Sequence, residues 1–341
     1  MGGMRTYELR GESIDGLARV ERPVPEPGPH QALVRVHAVS LNYRDLLVAN
    51  GTYPRGPNVK ERLVPCSDGA GEVLELGSSV AGLKRGDRVL GAFFQGWRDG
   101  PFDFEAAASS ALGGSIDGML SEYVVLDEAG LVKMPENLGY EAASTLPCAG
   151  VTAWVALAEF ASIGSNDVLL ALGTGGVSLF ALQLAKRAGA TVILTSSSDE
   201  KLARGKRLGA DLTINYRSTP AWDVMARELT GGRGVDHILE VGGAGTLQRS
   251  LGALRSGGRV VLAGQLSGEM ASREVAGRND RAIRVDQVFV GSARHLDRLA
   301  RSIEGAAFDP VIDRVFSFDA ALDAYRYLQS GAHFGKVVIR I

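Results

Sequence analysis

The chain has 341 residues, 45% of them hydrophobic, and a net charge of −2 at neutral pH, which suits about two domains with sizeable cores. It shows no basic footprint for nucleic acid and no run of like charge, and no apolar run approaches the roughly 20 residues of a membrane span. Two cysteines, Cys66 and Cys148, cannot build a disulfide framework. With no secretory leader, the expectation is a cytoplasmic protein that binds neither nucleic acid nor membrane.

Taken in order, Met4 to Leu9 is β-like. Ala32–Val39, Gly71–Leu76, Arg88–Ala92 and Glu122–Leu126 are short strands between turn clusters such as Pro25–Pro29 and Lys84–Asp87. That pattern predicts a compact, mostly antiparallel β-barrel domain. Gln95 to Gly118 reads as a long irregular stretch, and it carries Trp97, Phe102 and Phe104.

The middle of the chain changes character. Val168–Leu172 is a short apolar run that predicts a buried parallel strand. Gly173-Thr174-Gly175-Gly176-Val177-Ser178 comes next, and Leu179, Leu182 and Ala185 continue at helical spacing. Gly173 permits a tight turn, Gly175 has no Cβ to hold a pyrophosphate off, and the helix start offers free N–H groups and the positive dipole end. Ser178 stands where the motif has its third glycine, so the turn alone is weak.

The segments beyond the turn strengthen it. Strands are predicted at Thr191–Thr195, Leu212–Asn215, Val235–Val241 and Gly258–Ala263, with helices at Asp199–Leu208 and Trp222–Leu229 between them. Strands alternating with helices predict a doubly wound α/β sheet that binds a dinucleotide.

Several motifs, in this order along the chain, resemble the medium-chain dehydrogenases/reductases. They are Leu41-Asn-Tyr-Arg-Asp45, Pro65-Cys-Ser-Asp-Gly-Ala-Gly71, Gly86-Asp-Arg-Val89, Gly150-Val-Thr-Ala-Trp154, the glycine turn, Phe289-Val-Gly-Ser292 and Gly335-Lys336. The resemblance implies a GroES-like catalytic domain at 1–127, completed by 292–341 with a helix at Asp319–Gln329 and a strand at Lys336–Ile341. It implies a Rossmann domain at 128–291 and a cofactor cleft between the two.

The nearest likeness is to the zinc-free, quinone-oxidoreductase-like branch. Zinc members carry Cys, His and Cys at positions that correspond here to Asn42, Ser67 and Cys148, and only one of these is a zinc-ligand type. The stretch Gly91–Gly118 has no cysteine for a structural zinc, and the five histidines show no ligand spacing. The expectation is therefore no metal, with Cys148 a packed residue and not a nucleophile.

NAD readers place a carboxylate at the end of the second strand, and that position falls near Ser196, followed by Ser197. Serine hydroxyls can donate to a 2′-phosphate, and the resemblance adds Lys201, Tyr216 and Arg217 as its partners. The expected cofactor is NADP(H); Asp199 would either cap the next helix or swing back to a ribose and weaken that expectation. The resemblance also places Thr152, Gly242, Gly243, Gly264, Ser292 and Lys336 beside the cofactor, with Gly173 to Val177 on its pyrophosphate.

Without a metal, the favoured acceptors are quinones and α,β-unsaturated carbonyls, which spread their own developing charge. Tyr43 and Asn42 are the candidate catalytic hydrogen-bond donors, and Arg44-Asp45 reads as an internal ion pair. The alternatives are an alcohol or aldehyde dehydrogenase of the same fold and a non-catalytic NADPH-binding redox sensor. Homodimers of such proteins pair through the last Rossmann strand, expected at Gln287–Gly291.

Overall fold

A computed structural model describes residues 3–53, 62–264, 266 and 282–341. The chain divides into two compact units, Met1–Val151 with Val290–Ile341, and Thr152–Phe289.

In the first unit β1 (Gly3–Leu9) forms a hairpin with β2 (Leu17–Pro23). The eleven-residue β3 (Gln31–Leu41) pairs antiparallel with β4 (Asp68–Leu76) and with β6 (Tyr123–Asp127). From β4 the sheet runs through β5 (Arg88–Gly91) to β7 (Leu131–Lys133), all antiparallel. Helix α1 (Tyr43–Ala49) leaves the end of β3, and α2 (Phe104–Ala108) interrupts the stretch expected to be irregular. After α3 (Tyr140–Ala143) and a π-helical turn at Leu146–Gly150 the chain passes into the second unit along α4 (Val151–Trp154) and a second π-helical turn at Val155–Ala161.

The second unit alternates β8 (Val168–Ala171), α5 (Gly176–Arg187), β9 (Thr191–Ser196), α6 (Asp199–Arg207) and β10 (Leu212–Asn215). It continues with α7 (Trp222–Leu229), β11 (Val235–Glu240), α8 (Leu247–Ala253), β12 (Leu254–Leu262) and β13 (Arg284–Gln287). The strand order is β10-β9-β8-β11-β12-β13, every pairing parallel. Helices cover both faces of such a sheet, so its central strands carry apolar cores: Leu169 to Ala171 and Val192 to Leu194 are 0% exposed. The order reverses between β8 and β11, the place where doubly wound sheets take ligands.

The chain then returns to the first unit with α9 (Ala293–Ile303), β14 (Ile312–Ser317), α10 (Ala321–Gln329) and β15 (Lys336–Arg340). β15 pairs antiparallel with β3 and parallel with β14. Tyr325 of α10, wholly buried, packs in one core with Leu41, Val73, Met119 and Val337. The last strand of the second unit corrects the sequence expectation: it ends at Gln287, and Val290 has φ +57°, a left-handed value no strand contains and an outlier for a β-branched residue. No described helix is long and apolar enough to cross a membrane.

Candidate active site

The glycine turn leaves β8 in an open form. Gly173 has φ +74°, and a Cβ built on it or on Gly175 meets no protein atom within 4 Å. Gly175 is the N-cap of α5 and no side chain caps that first turn, so its orphan N–H groups remain for an anion. Thr195 Oγ1 accepts from Gly173 N–H at 3.1 Å, which ties the turn to the end of β9. Buried Ser178 donates its hydroxyl to Leu172 O at 2.6 Å, so serine at the third glycine position satisfies a strand-end carbonyl. Thr174 is buried, with Gly176 and Val177 half-buried beside it. These residues fit the pyrophosphate of a dinucleotide.

At the ends of β9 and β10, Ser196 lies opposite Asn215 and accepts from Tyr216 N–H through its carbonyl at 3.0 Å. Ser196 is buried, Ser197 and Lys201 are half-buried, and Tyr216 and Arg217 are exposed. The expectations for Asp199 are corrected here. Ser198, not Asp199, caps α6, accepting from Lys201 N–H at 3.3 Å, while the Asp199 carboxylate accepts from Asn215 Nδ2 at 2.7 Å.

Sequence reasoning missed Glu240, although a carboxylate in the apolar run Val235–Val241 was its signal. Glu240 is fully buried at the end of β11 and accepts from Gly242 N–H at 2.7 Å, Gly243 N–H at 3.2 Å and Thr246 Oγ1 at 2.6 Å. Ser250 donates to its other oxygen. A Cβ on Gly242 would stand 2.2 Å from Thr246 Oγ1, and one on Gly264 2.8 Å from Val241 O, so both glycines answer to packing first. Thr152 is buried on α4.

The first unit gathers a second set of residues. Asn42 is the N-cap of α1, and its backbone N–H donates to Asp45 Oδ2 at 2.7 Å. Lys336, at the start of β15 and 3% exposed, donates to Leu41 O at 2.7 Å and to Asn42 Oδ1 at 2.6 Å. Its Nζ is 3.8 Å from Asp68 Oδ2. An ammonium only donates, so the amide oxygen must face it, and Asn42 Nδ2 then faces Ser67 Oγ at 3.4 Å. Ser67 donates to Asp68 Oδ1 at 2.9 Å, and Asp68 is fully buried.

Tyr43, the first residue of α1, is 47% exposed. Ser292 is the buried N-cap of α9, where its hydroxyl accepts from His295 N–H at 3.2 Å. The Arg44-Asp45 pair expected from sequence is looser than that. Arg44 donates to Leu112 O at 2.8 Å, with its guanidinium over the rings of Phe93 and Tyr53. Burial pushes the Asp45 carboxyl up to about 6, against the lowering pull of the Arg44 charge and of Asn42 N–H.

Cys148 lies in the first π-helical turn and packs against the cluster of Phe93 and Phe94, with Trp97, Phe102 and Val290. Burial, and then the charge of Asp68, push its thiol far above the ordinary value. A catalytic zinc needs thiolate, imidazole or carboxylate ligands. The three positions here offer an amide whose oxygen an ammonium occupies, a hydroxyl and a single thiol. Among the described residues no three His, Cys, Asp or Glu side chains are grouped to hold a metal ion. The donor set does not fit catalytic zinc.

Residues 28–136 match the alcohol dehydrogenase GroES-like domain and residues 176–304 the zinc-binding dehydrogenase family. The chain is 43% identical over 336 residues to zinc-type alcohol dehydrogenase-like protein C1773.06c of Schizosaccharomyces pombe, covering 96% of each. It belongs to the medium-chain dehydrogenase/reductase family. A putative alcohol dehydrogenase from Sinorhizobium meliloti has a crystal structure that superposes with a TM-score of 0.91, at 42% identity over 100% of both chains. The 2-methylene-furan-3-one reductase of Solanum lycopersicum is 31% identical over 93% of this chain and 73% of its own length. As a medium-chain dehydrogenase/reductase, the protein is an oxidoreductase that uses a nicotinamide cofactor on a small-molecule substrate. Its first unit is the GroES-like one and its second the Rossmann-like parallel sheet.

Proposed function

We propose that this medium-chain dehydrogenase/reductase is an NADPH-dependent, zinc-independent enzyme that reduces a quinone or an α,β-unsaturated carbonyl. The observation that carries this reading is the donor set Asn42, Ser67 and Cys148, in which the Asn42 oxygen is bound to the Lys336 ammonium. Nothing in that set polarises a simple carbonyl strongly, so acceptors that delocalise the incoming charge are favoured. The relative named for a 2-methylene-furan-3-one supports the same choice.

When bound, the nicotinamide supplies the hydride. Gly173, Thr174, Gly175, Gly176 and Val177 hold the pyrophosphate, and Thr152, Gly242, Gly264 and Ser292 serve the nicotinamide end. Asn42 Nδ2 and the exposed Tyr43 hydroxyl donate to the acceptor oxygen as its charge develops, and water delivers the proton. Tyr43→Phe should lower turnover more than NADPH affinity.

Ser196, Ser197, Lys201 and Tyr216 hold the 2′-phosphate, and the Asp199 carboxylate is bound to Asn215 Nδ2. One charge-assisted contact of about 1.5–3 kcal/mol favours NADPH over NADH by roughly ten- to a hundred-fold. Fluorescence titration of both cofactors tests this, and equal dissociation constants would refute it. Multiple turnovers with any enone or quinone distinguish the enzyme from a cofactor-binding sensor.

A further inference from the structure

We infer that Lys336 is a positioning residue: it holds the Asn42 amide by its oxygen, so that an amide N–H is left to bind the acceptor oxygen. This rests on the proposed function and replaces the cofactor-side place that the family resemblance gives Lys336.

The observation behind it is that the close hydrogen bond to the Asn42 amide oxygen comes from outside its own helix, from the Lys336 ammonium. An N-cap asparagine turns its oxygen to the N–H groups of the first turn. Here Asn42 and Asp45 form a capping box in which the Asn42 side chain stands only loosely toward Asp45 N–H, and that N–H donates to the Asn42 backbone carbonyl at 2.9 Å. The Asp45 carboxylate closes the helix start from the other side through Asn42 N–H, at 2.7 Å. The amide oxygen makes its close bond to a residue 294 positions away, at 2.6 Å.

Burying an ammonium is costly unless acceptors meet it. The two oxygens within 2.7 Å and the Asp68 carboxylate at 3.8 Å supply them, and Lys336 is 3% exposed. A side chain so engaged has little reach toward a phosphate. Register between β15 and β3 does not need it either, because Val337 to Arg340 already pair with Leu41 to Ala38. What the ammonium does fix is which way the amide points. One Nδ2–H then faces Ser67, at 3.4 Å, and Asn42 is itself partly exposed. A cation on the carbonyl side polarises the amide and strengthens its N–H as a donor.

The test is a double-mutant cycle of Lys336→Met and Asn42→Ala, reading kcat with NADPH and an enone, and NADPH affinity by fluorescence. Lys336→Met should lower kcat roughly ten- to a hundred-fold, as loss of part of an oxyanion donor does, with the NADPH dissociation constant changed less than about twofold. In the Asn42→Ala background the same change should cost less than about twofold further, because the two residues act as one unit. Equal losses in both backgrounds would make Lys336 merely structural. An NADPH dissociation constant raised about tenfold with kcat intact would make it a cofactor ligand; either result overturns the inference.

Should Lys336→Met fail to fold, Asn42→Asp serves. It keeps an oxygen on Lys336 and removes the N–H, so kcat should fall as in Asn42→Ala while the melting temperature holds. Wild-type kcat with a lower melting temperature would overturn the inference. A wild type that turns over no acceptor refutes the proposed function and the inference with it, whereas an active wild type with an unaffected Lys336→Met refutes the inference alone.

Discussion

Each unit buries a carboxylate, Asp236 on β11 and Asp45 on α1, and the two are treated in opposite ways. Asp236 of the second unit is 2% exposed and meets Arg233 at 2.9 and 2.6 Å, Val168 N–H at 2.9 Å, and Arg255. Burial alone would raise its carboxyl, but the bonds from Arg233 and Arg255 outweigh that and bring it down to about 2. Asp45 of the first unit is 1% exposed and, among the described residues, one of its oxygens has no hydrogen-bond partner, nor has Nε of its neighbour Arg44. Burial lifts its carboxyl to about 6. The Asp236 cluster is closed and holds a fold together; the Asp45 cluster is left partly open, next to an amide with an N–H to offer. Incomplete satisfaction of a buried polar group calls for a reason, and here the reason proposed is chemistry.

Asp236→Ala should have the largest effect. It leaves two guanidinium groups facing each other and should cost about 3–5 kcal/mol in denaturant unfolding, with kcat of the folded protein unchanged. In the wild type, the depressed carboxyl contributes stability that is complete above about pH 4 and lost as pH falls toward 2. After discounting for screening at the half-exposed Arg233, that amounts to about 1–2 kcal/mol. A marginal effect of Asp236→Ala would end the contrast between the clusters.

Asp45 carries the opposite sign. Its folded value of about 6 exceeds the ordinary one near 3.9, so the folded chain keeps a proton that the unfolded chain has lost. Stability should therefore fall by roughly 2–3 kcal/mol as pH rises from about 4 to about 6. Asp45→Asn keeps an acceptor for Asn42 N–H and cannot ionise, so melts across that range should lose the slope. An unchanged slope would assign the titration to another group.

Gly175→Ala is the smallest change and the most selective. Its Cβ meets no protein atom within 4 Å, so unfolding should be unaffected, while NADPH binding weakens about tenfold, roughly 1.4 kcal/mol. Unaltered NADPH affinity would move the pyrophosphate away from this turn.

The two regions also differ in how far the sequence reveals them. Strand, turn and helix of the cradle are consecutive from Val168 to Ser178, so residue order alone carries them. The cluster around Asn42 draws on Ser67 and Lys336, far apart in the chain, and only a resemblance brings those positions together. The resemblance set Lys336 beside the cofactor; that its ammonium meets Asn42 is a fact of folding. Short α2 and the left-handed Val290 escaped for a local reason, since five residues give too little periodicity and Phe289-Val290 reads as strand. Glu240 escaped because its donors, Gly242, Gly243 and Thr246, are arranged only by the loop that it holds.

The most direct test of the central claim follows NADPH absorbance after treatment with a chelator, with a conjugated enone or its saturated ketone as acceptor. Consumption with the enone and none with the ketone is the predicted result. Equal consumption of both would show that this site polarises a simple carbonyl unaided, and would contradict the account.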